Sequence, residues 1–352
     1  MNFINHNVQK LKAYVYGEQP SRSSGVIKLN TNENPYPPHP DMKKKLAGFR
    51  TDLLRLYPDP QCHALTKAAS AYLAIDSGCI VFGNGSDELI ANIFKIFFGS
   101  NDKVLFTEYT YTYYHVFAGI HGLRVYTLPM QHDFKVDLKL VKNYPVKVVF
   151  LTNPNSPTGI AVPAAQIAAA LKENKNKLFI IDEAYADFAD ENCIPLLRHF
   201  SNLVILRTFS KAFSFCGGRL GYALSTKKNI KAFFKVKDPY NISTVTQLLG
   251  EDIFRNINYY KGHIKKIIAL REHFAKQLVA LGFSVLPSSA NFIFCTHPGL
   301  SAASLAAYLR ENNILVRYFN KPGLKKYLRI TIGTELQMQK VYKRISHYLD
   351  AN

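Results

Sequence analysis

No stretch of this sequence is apolar for long enough to cross a bilayer, and the N-terminus, "MNFINHNVQKLKAYVYG", lacks the apolar central run of a signal peptide. Both absences argue against export and membrane insertion. Cysteine is sparse and unpatterned: Cys62, Cys79, Cys193, Cys216 and Cys295 are odd in number, far apart and without a CxxC pair. That excludes the usual zinc and dithiol signatures, predicts no metal, and fits reduced thiols in a cytoplasmic protein. Acidic residues are also scarce, 25 against 44 lysines and arginines, which leaves a formal charge of +19. Such a balance attracts anions of every size. The basic residues are scattered, however, through Lys43-Lys44-Lys45, "KENKNK", "KKNIKAFFKVK" and "LKKYLR". Solvated helix faces explain that scatter better than a nucleic-acid surface does, so no nucleic-acid partner is expected. No GxGxxG opens a helix after a strand with an acidic residue about 20 positions on, which disfavours a nicotinamide dehydrogenase. Fixed-period repeats and low-complexity linkers are missing too.

What is present is the make-up of a globular enzyme: 352 residues, 47% of them hydrophobic and 20% charged, enough for a large domain and a smaller one. Short β-branched runs alternate with helix-like stretches: "CIVF" (79–82), "KVLFT" (103–107), "LRVYTL" (123–128), "VKVVFLT" (146–152), "KLFIID" (177–182) and "NLVILRT" (202–208). That alternation predicts an α/β domain with a mostly parallel sheet covered by helices on both faces. Beyond about residue 250 comes a long helical stretch, "DIFRNINYYKGHIKKIIALREHFAKQLVAL". The strand-like "SANFIFCTH", "ILVRYF" and "YLRITIG" follow it and predict a smaller α+β domain joined through a helix.

Polar signals stand at the carboxyl ends of the strand-like runs, where open α/β sheets bind ligands. "GNGSDE" follows the first, "NPNSPTG" follows "VFLT", "DEAY" closes "KLFII" and "RTFSK" closes "LVIL". A lone lysine is usually a surface charge, but Lys211 stands beside Thr208, Ser210, Gly217, Gly218 and Arg219. Hydroxyls, close backbone approach and a guanidinium fork make a phosphate anchor. The turn Gly83-Asn84-Gly85-Ser86-Asp87 adds the N-terminus of a helix. Asp182 could be a strand-terminal cap; opposite a pyridine nitrogen, it would keep that nitrogen protonated. Lysine, anchor and carboxylate together describe a pyridoxal 5'-phosphate site.

The chain resembles the fold-type I pyridoxal-phosphate aminotransferases, particularly the histidinol-phosphate branch. The resemblance rests on "LNTNENPYPP", "LYPDP", "GNGSDE", "NPNSPTG", "DEAYADF", "SKAFSFCGGRLGY" and "LRITIGT", in order from about residue 11 to 335. It implies an N-terminal arm with a small-domain contribution over 1–44, a large cofactor-binding domain over 45–250 and a small C-terminal domain over 251–352. Lys211 would tether the cofactor and move the substrate proton. Asp182 would pair with the ring nitrogen, Tyr185 with the ring hydroxyl, and Tyr111 would stack on the ring. Ser210, Arg219 and the amides of Ser86 and Asp87 would hold the phosphate. Tyr57 would reach the phosphate of a second subunit, which implies a homodimer with shared active sites. Arg329 would grip an α-carboxylate and Arg317 another anion, with Asn291 and Tyr14 as further substrate contacts. The implied substrates are small anions: glutamate and a phosphorylated ketone, as in histidine biosynthesis. The chain departs from the family pattern at Ser156, where asparagine usually contacts the ring hydroxyl, and at Pro37 and Tyr16 near the substrate entrance. A phospho-amino-acid decarboxylase, a broad aromatic aminotransferase and a non-catalytic basic module are the alternatives weighed against this reading.

Overall fold

The computed structural model describes residues 3–21 and 24–351; residues 1, 2, 22 and 23 of the expected arm and residue 352 lie outside the described residues. A short strand, β1 (Ile27–Lys28), precedes the main sheet, which is built from β2 (Ile80–Asn84), β3 (Lys103–Thr107), β4 (Arg124–Leu128), β5 (Val148–Thr152), β6 (Leu178–Asp182), β7 (Leu203–Thr208) and β8 (Leu220–Leu224). Its order is β2-β8-β7-β6-β5-β3-β4, and only β8 runs against the rest. The expected parallel strands therefore form, with edges trimmed by a residue or two.

The apolar runs are continuous because both faces of the sheet are covered, so neither side chain of an alternating pair meets water. Every residue of β5, β7 and β8 is buried. Phe150, Ile180, Val204 and Leu206 pack on one face with Ile90, Phe94 and Tyr114, while Val149, Ile181 and Ile205 join the larger core on the other. Strand β8 is an addition to the strand-like runs picked out in the sequence, among which "GGRLGY" was not counted. Its run is short and lies directly behind the glycine pair, so periodicity offers little signal, and the chain turns back through residues 209–219 to enter between β2 and β7.

In the C-terminal part, the helical stretch read as one is two helices, Thr244–Arg255 and Ile257–Ala280. They are interrupted at Asn256, whose φ of −103° and ψ of 26° leave the helical region. A second sheet combines β9 (Ser284–Val285), β10 (Phe292–Thr296) and β13 (Tyr327–Thr331) with β12 (Arg317–Tyr318); the strand-like "ILVRYF" is divided, because β11 (Ile314–Leu315) pairs instead with β1. The N-terminal segment is thus stitched to the C-terminal sheet, with Thr331 N–H also bonded to the Leu29 carbonyl. Among the described residues, no helix is long and apolar enough to cross a membrane.

Beneath the ligand-facing edge lies a charge network that the sequence reading did not anticipate. Arg207 of β7 donates to Glu183 (2.8 Å) and Asp187 (2.7 Å), all three side chains being nearly sealed from solvent. Glu183 also accepts from the Cys193 amide (2.5 Å). Removing one member of such a set leaves buried, uncompensated charge. Replacing Arg207 with Leu is therefore expected to destabilise the fold by about 3–5 kcal/mol, read from urea denaturation; an unchanged midpoint would contradict this account of the network.

Candidate active site

Strand ends converge on one cleft because parallel strands in register end together, Thr152 pairing with Asp182 and Asp182 with Leu206, while the end of β2 at Asn84 pairs with Leu220, where antiparallel β8 begins. There, Gly85 adopts φ +74°, and its amide bonds to the Arg219 carbonyl (2.9 Å). A Cβ at Gly85 would stand 2.4 Å from Arg219 Nη2, and one at Gly221 would stand 2.6 Å from the Ser86 nitrogen. Glycine at both positions lets the arginine lie across the start of the helix Gly85–Phe97, whose first amides lack intrahelical partners. Arg219 donates to Asp87 Oδ2 (3.0 Å), and the Tyr111 hydroxyl donates to Asp87 Oδ1 (3.2 Å). Burial, then the Asp87 charge, raise the Tyr111 phenol pKa and keep it protonated.

Lys211 follows β7 and is half-buried, its ammonium donating to the Thr31 carbonyl (3.0 Å). Asn34 Nδ2 clamps the backbone beneath it through the carbonyls of Lys211 (3.1 Å) and Ala212 (3.0 Å). Ser210 is buried next to it and accepts from the Thr208 hydroxyl (3.0 Å).

Asp182 ends β6 in full burial. Its carboxylate receives the Tyr114 hydroxyl (2.5 Å) and the Ala184 amide (3.1 Å), and no cation. Burial pushes its pKa up to about 6 even though both hydrogen bonds pull the other way. Tyr114, itself 0% exposed, is also bonded to Thr152 Oγ1 (3.1 Å). The sequence reading missed Tyr114. Its signal was in the aromatic run, since a spacing of three from Tyr111 places both rings on one side of a helical turn.

On the opposite wall, Arg329 of β13 donates to Ser156 Oγ (3.1 Å) and to the Asn30 carbonyl (2.9 Å), and its Nε finds no partner. Its guanidinium lies 5.3 Å from the Phe292 ring and 5.5 Å from Phe319. Arg317 faces it across the β12–β13 pair and rests on Phe319 (5.6 Å). Burial, assisted by Arg317, lowers the Arg329 pKa. Among the described residues no carboxylate pairs with Lys211, Arg317 or Arg329. Two like charges with no counter-ion form an anion receptor.

Tyr14 bridges the two walls. Its ring meets Tyr111 (6.1 Å) and Tyr113 (5.3 Å) edge-on, and its phenol feels Arg317, Arg329, Asp87 and Tyr185, although burial dominates and raises its pKa. The Tyr185 hydroxyl accepts from Asn32 Nδ2 (2.9 Å). Two expected residues lie outside this cluster. Asn291 is 0% exposed and donates to the Asn32 carbonyl (3.0 Å), so in this structure it supports the wall rather than lining the cleft. Tyr57 is 79% exposed and stacks on Tyr240 (4.2 Å) away from the cleft of its own chain.

The cleft fits pyridoxal phosphate on this chain's own chemistry. A buried carboxylate without a cation suits a protonated ring nitrogen, Arg219 and the helix start suit a phosphate, and Lys211 can carry the aldehyde carbon. The Asp182 titration provides a check. A folded pKa above the unfolded value of about 3.9 means the folded state binds this proton more tightly. Stability of the cofactor-free protein therefore falls as pH rises from about 4 to 6 and stays at the lower level above that. Asp182→Asn in the cofactor-free protein should gain on wild type by on the order of 2–3 kcal/mol between pH 4 and pH 7; parallel pH profiles of the two melting curves would refute this.

The family model for aminotransferase class I and II matches residues 24–345. Among curated proteins, the chain is 40% identical over 345 residues to the histidinol-phosphate aminotransferase of Acinetobacter baumannii, covering 96% of this chain and 94% of the relative. It is 38% identical over 352 residues to that of Lactococcus lactis, covering 99% and 97%. Among solved structures, the histidinol-phosphate aminotransferase of Sinorhizobium meliloti, determined in complex with pyridoxal-5'-phosphate, superposes with a TM-score of 0.90 at 24% identity, over 100% of this chain and 98% of that one.

Proposed function

Because this chain belongs to aminotransferase class I and II, we propose that it uses pyridoxal 5'-phosphate to exchange an amino group between glutamate and imidazole acetol phosphate, forming histidinol phosphate and 2-oxoglutarate. The observation that carries this reading is complementary incompleteness. Asp182 is buried without a cation, and Arg317 and Arg329 face each other without an anion. The names of the A. baumannii and L. lactis relatives support the substrate.

Bound in the cleft, the cofactor supplies an electron sink for the charge left when the substrate Cα loses its proton, and a carbon that carries the amino group between half-reactions. Each residue then has a task set by its surroundings. Asp182, oriented by Tyr114, would hold the proton on the ring nitrogen. Tyr185 would donate to the ring oxygen, and Tyr111 would cover the ring and exclude water. Ser210, Arg219 and the amides of Ser86 and Asp87 would hold the phosphate, with Gly85 providing the room. The Lys211 amine would take up the substrate Cα proton and hold it for return, which requires the amine to be neutral when it accepts.

For the substrate, the Arg329 fork receives the α-carboxylate, one arm steadied by Ser156. Here serine takes a different task from the family asparagine, since its hydroxyl is on the guanidinium. Arg317 meets the second anion, a side-chain carboxylate or a phosphate, so one receptor serves both amino donors. Tyr14 closes the space above. The exposed stack of Tyr57 on Tyr240, beside exposed Leu54 and Leu56, supports a homodimer in which Tyr57 completes the partner's phosphate site. Free thiols support a cytoplasmic setting, and the arm, large domain and small domain divide near residues 44 and 250.

Borohydride trapping followed by peptide mapping should find the pyridoxyl adduct on Lys211. Glutamate and histidinol phosphate should each convert the visible band to that of the amino form; carbon dioxide release without a keto product would reject amino transfer. Lys211→Ala should lower turnover by about 10³-fold or more, and Arg329→Lys should raise KM for glutamate about 10–100-fold through loss of charged hydrogen bonds. Mixed dimers of Lys211→Ala and Tyr57→Ala subunits should regain activity that neither parent has; no recovery would oppose shared sites.

A further inference from the structure

We infer that Asn32 is a positioning residue that aims the Tyr185 hydroxyl proton at the cofactor, an inference that rests on the functional reading above. Asn32 falls in "LNTNENPYPP", and the sequence reading gave it no task of its own. It is 1% exposed and holds φ at +57°, a conformation that asparagine tolerates better than other side chains but still at some cost. Every polar group it owns is engaged. Its backbone N–H donates to Thr331 Oγ1 (3.1 Å), and the Thr331 hydroxyl in turn donates to Asn32 Oδ1 (2.9 Å). Its carbonyl accepts from Asn291 Nδ2 (3.0 Å). With Oδ1 committed to Thr331, the amide nitrogen must face the other way, and it donates to the Tyr185 oxygen (2.9 Å).

The consequence lies in the arithmetic of a phenol, which has one O–H to donate and lone pairs to accept. Asn32 fills the acceptor side. Among the described residues the Tyr185 O–H itself donates to no protein group, and its ring is fixed edge-on against Phe292 (5.2 Å, 89°). Were Asn32 an acceptor, the phenolic proton would be drawn to the protein wall. As a donor, it repels that proton and leaves it for the ring oxygen. Thr331 thereby acts on Tyr185 at one remove, by fixing which end of the Asn32 amide points toward it, while Asn291 holds the Asn32 backbone through its carbonyl.

Two substitutions separate this role from simple support. Asn32→Asp keeps the shape, the Thr331 hydroxyl bond and the tolerance for the left-handed backbone, but replaces the donor with an acceptor. Asn32→Gly keeps the backbone without strain and removes the donor. In purified holoenzyme the readout is the pH midpoint of the cofactor's visible absorbance, with Tyr185→Phe as the reference. Asn32→Asp should move the midpoint in the same direction as Tyr185→Phe and by a comparable amount, about one pH unit. Asn32→Gly should move it the same way by less, and Asn32→Asp combined with Tyr185→Phe should move it no further than Tyr185→Phe alone. A wild-type midpoint in Asn32→Asp, or in Asn32→Gly if the aspartate variant does not fold, overturns the inference while Tyr185→Phe still reports a working site. Additive shifts in the double variant overturn it as well. A wild-type protein with no cofactor band overturns both this inference and the functional reading beneath it.

Discussion

Burying a carboxylate without a cation is unfavourable, and everything around Asp182 follows from tolerating that arrangement. The carboxylate is held by one phenol and one amide, enough to orient it but not to neutralise it. The central sheet makes this possible by fixing strand ends so firmly that a charged side chain has no room to turn toward solvent. Across the cleft the problem recurs with opposite sign, two guanidiniums opposed on neighbouring strands with aromatic rings beneath them. Each wall has what the other lacks, yet they are kept apart, and a zwitterionic ligand with a cationic ring nitrogen and outlying anions is the shape that satisfies both.

The layer below behaves differently. Arg207 stands between Glu183 and Asp187 at nearly the same depth, so each of these charges faces one of opposite sign. One strand position therefore separates a carboxylate with a cationic partner from one without: Asp182 directly precedes Glu183. Structural charge is paired within the chain, while functional charge is left open toward the cleft.

Much of this was legible in the sequence because strand ends and loop chemistry are local. The six parallel strands appear as apolar runs, and the residues at their carboxyl ends, Asp182 and Lys211 among them, could be picked out by position together with their neighbours and the family resemblance. What escaped was non-local. Strand β8 is too short and too close to glycine to show a period, and its antiparallel entry depends on its neighbours. Tyr114 was hidden by being one of four tyrosines between residues 109 and 114, with nothing local to say which of them faces the carboxylate. The bonds of Asn32 reach residues about 150 to 300 positions away, so its role exists only once the chain has folded. Tyr57 shows the converse: its resemblance-based role concerns another subunit, and in its own chain it stacks on Tyr240.

The segment from Asn30 to Asn34 is easily mistaken for a mere arm. Its consecutive carbonyls and side chains serve the Arg329 guanidinium, the Lys211 ammonium, the Tyr185 phenol and the backbone that carries the lysine, while β1 just before it is sewn to β11. A truncated protein starting after this segment would lose three side-chain partners in one cut. The deletion would behave as a multiple active-site mutant, and anyone trimming the chain for crystallisation or fusing a domain near its start would be editing the catalytic centre.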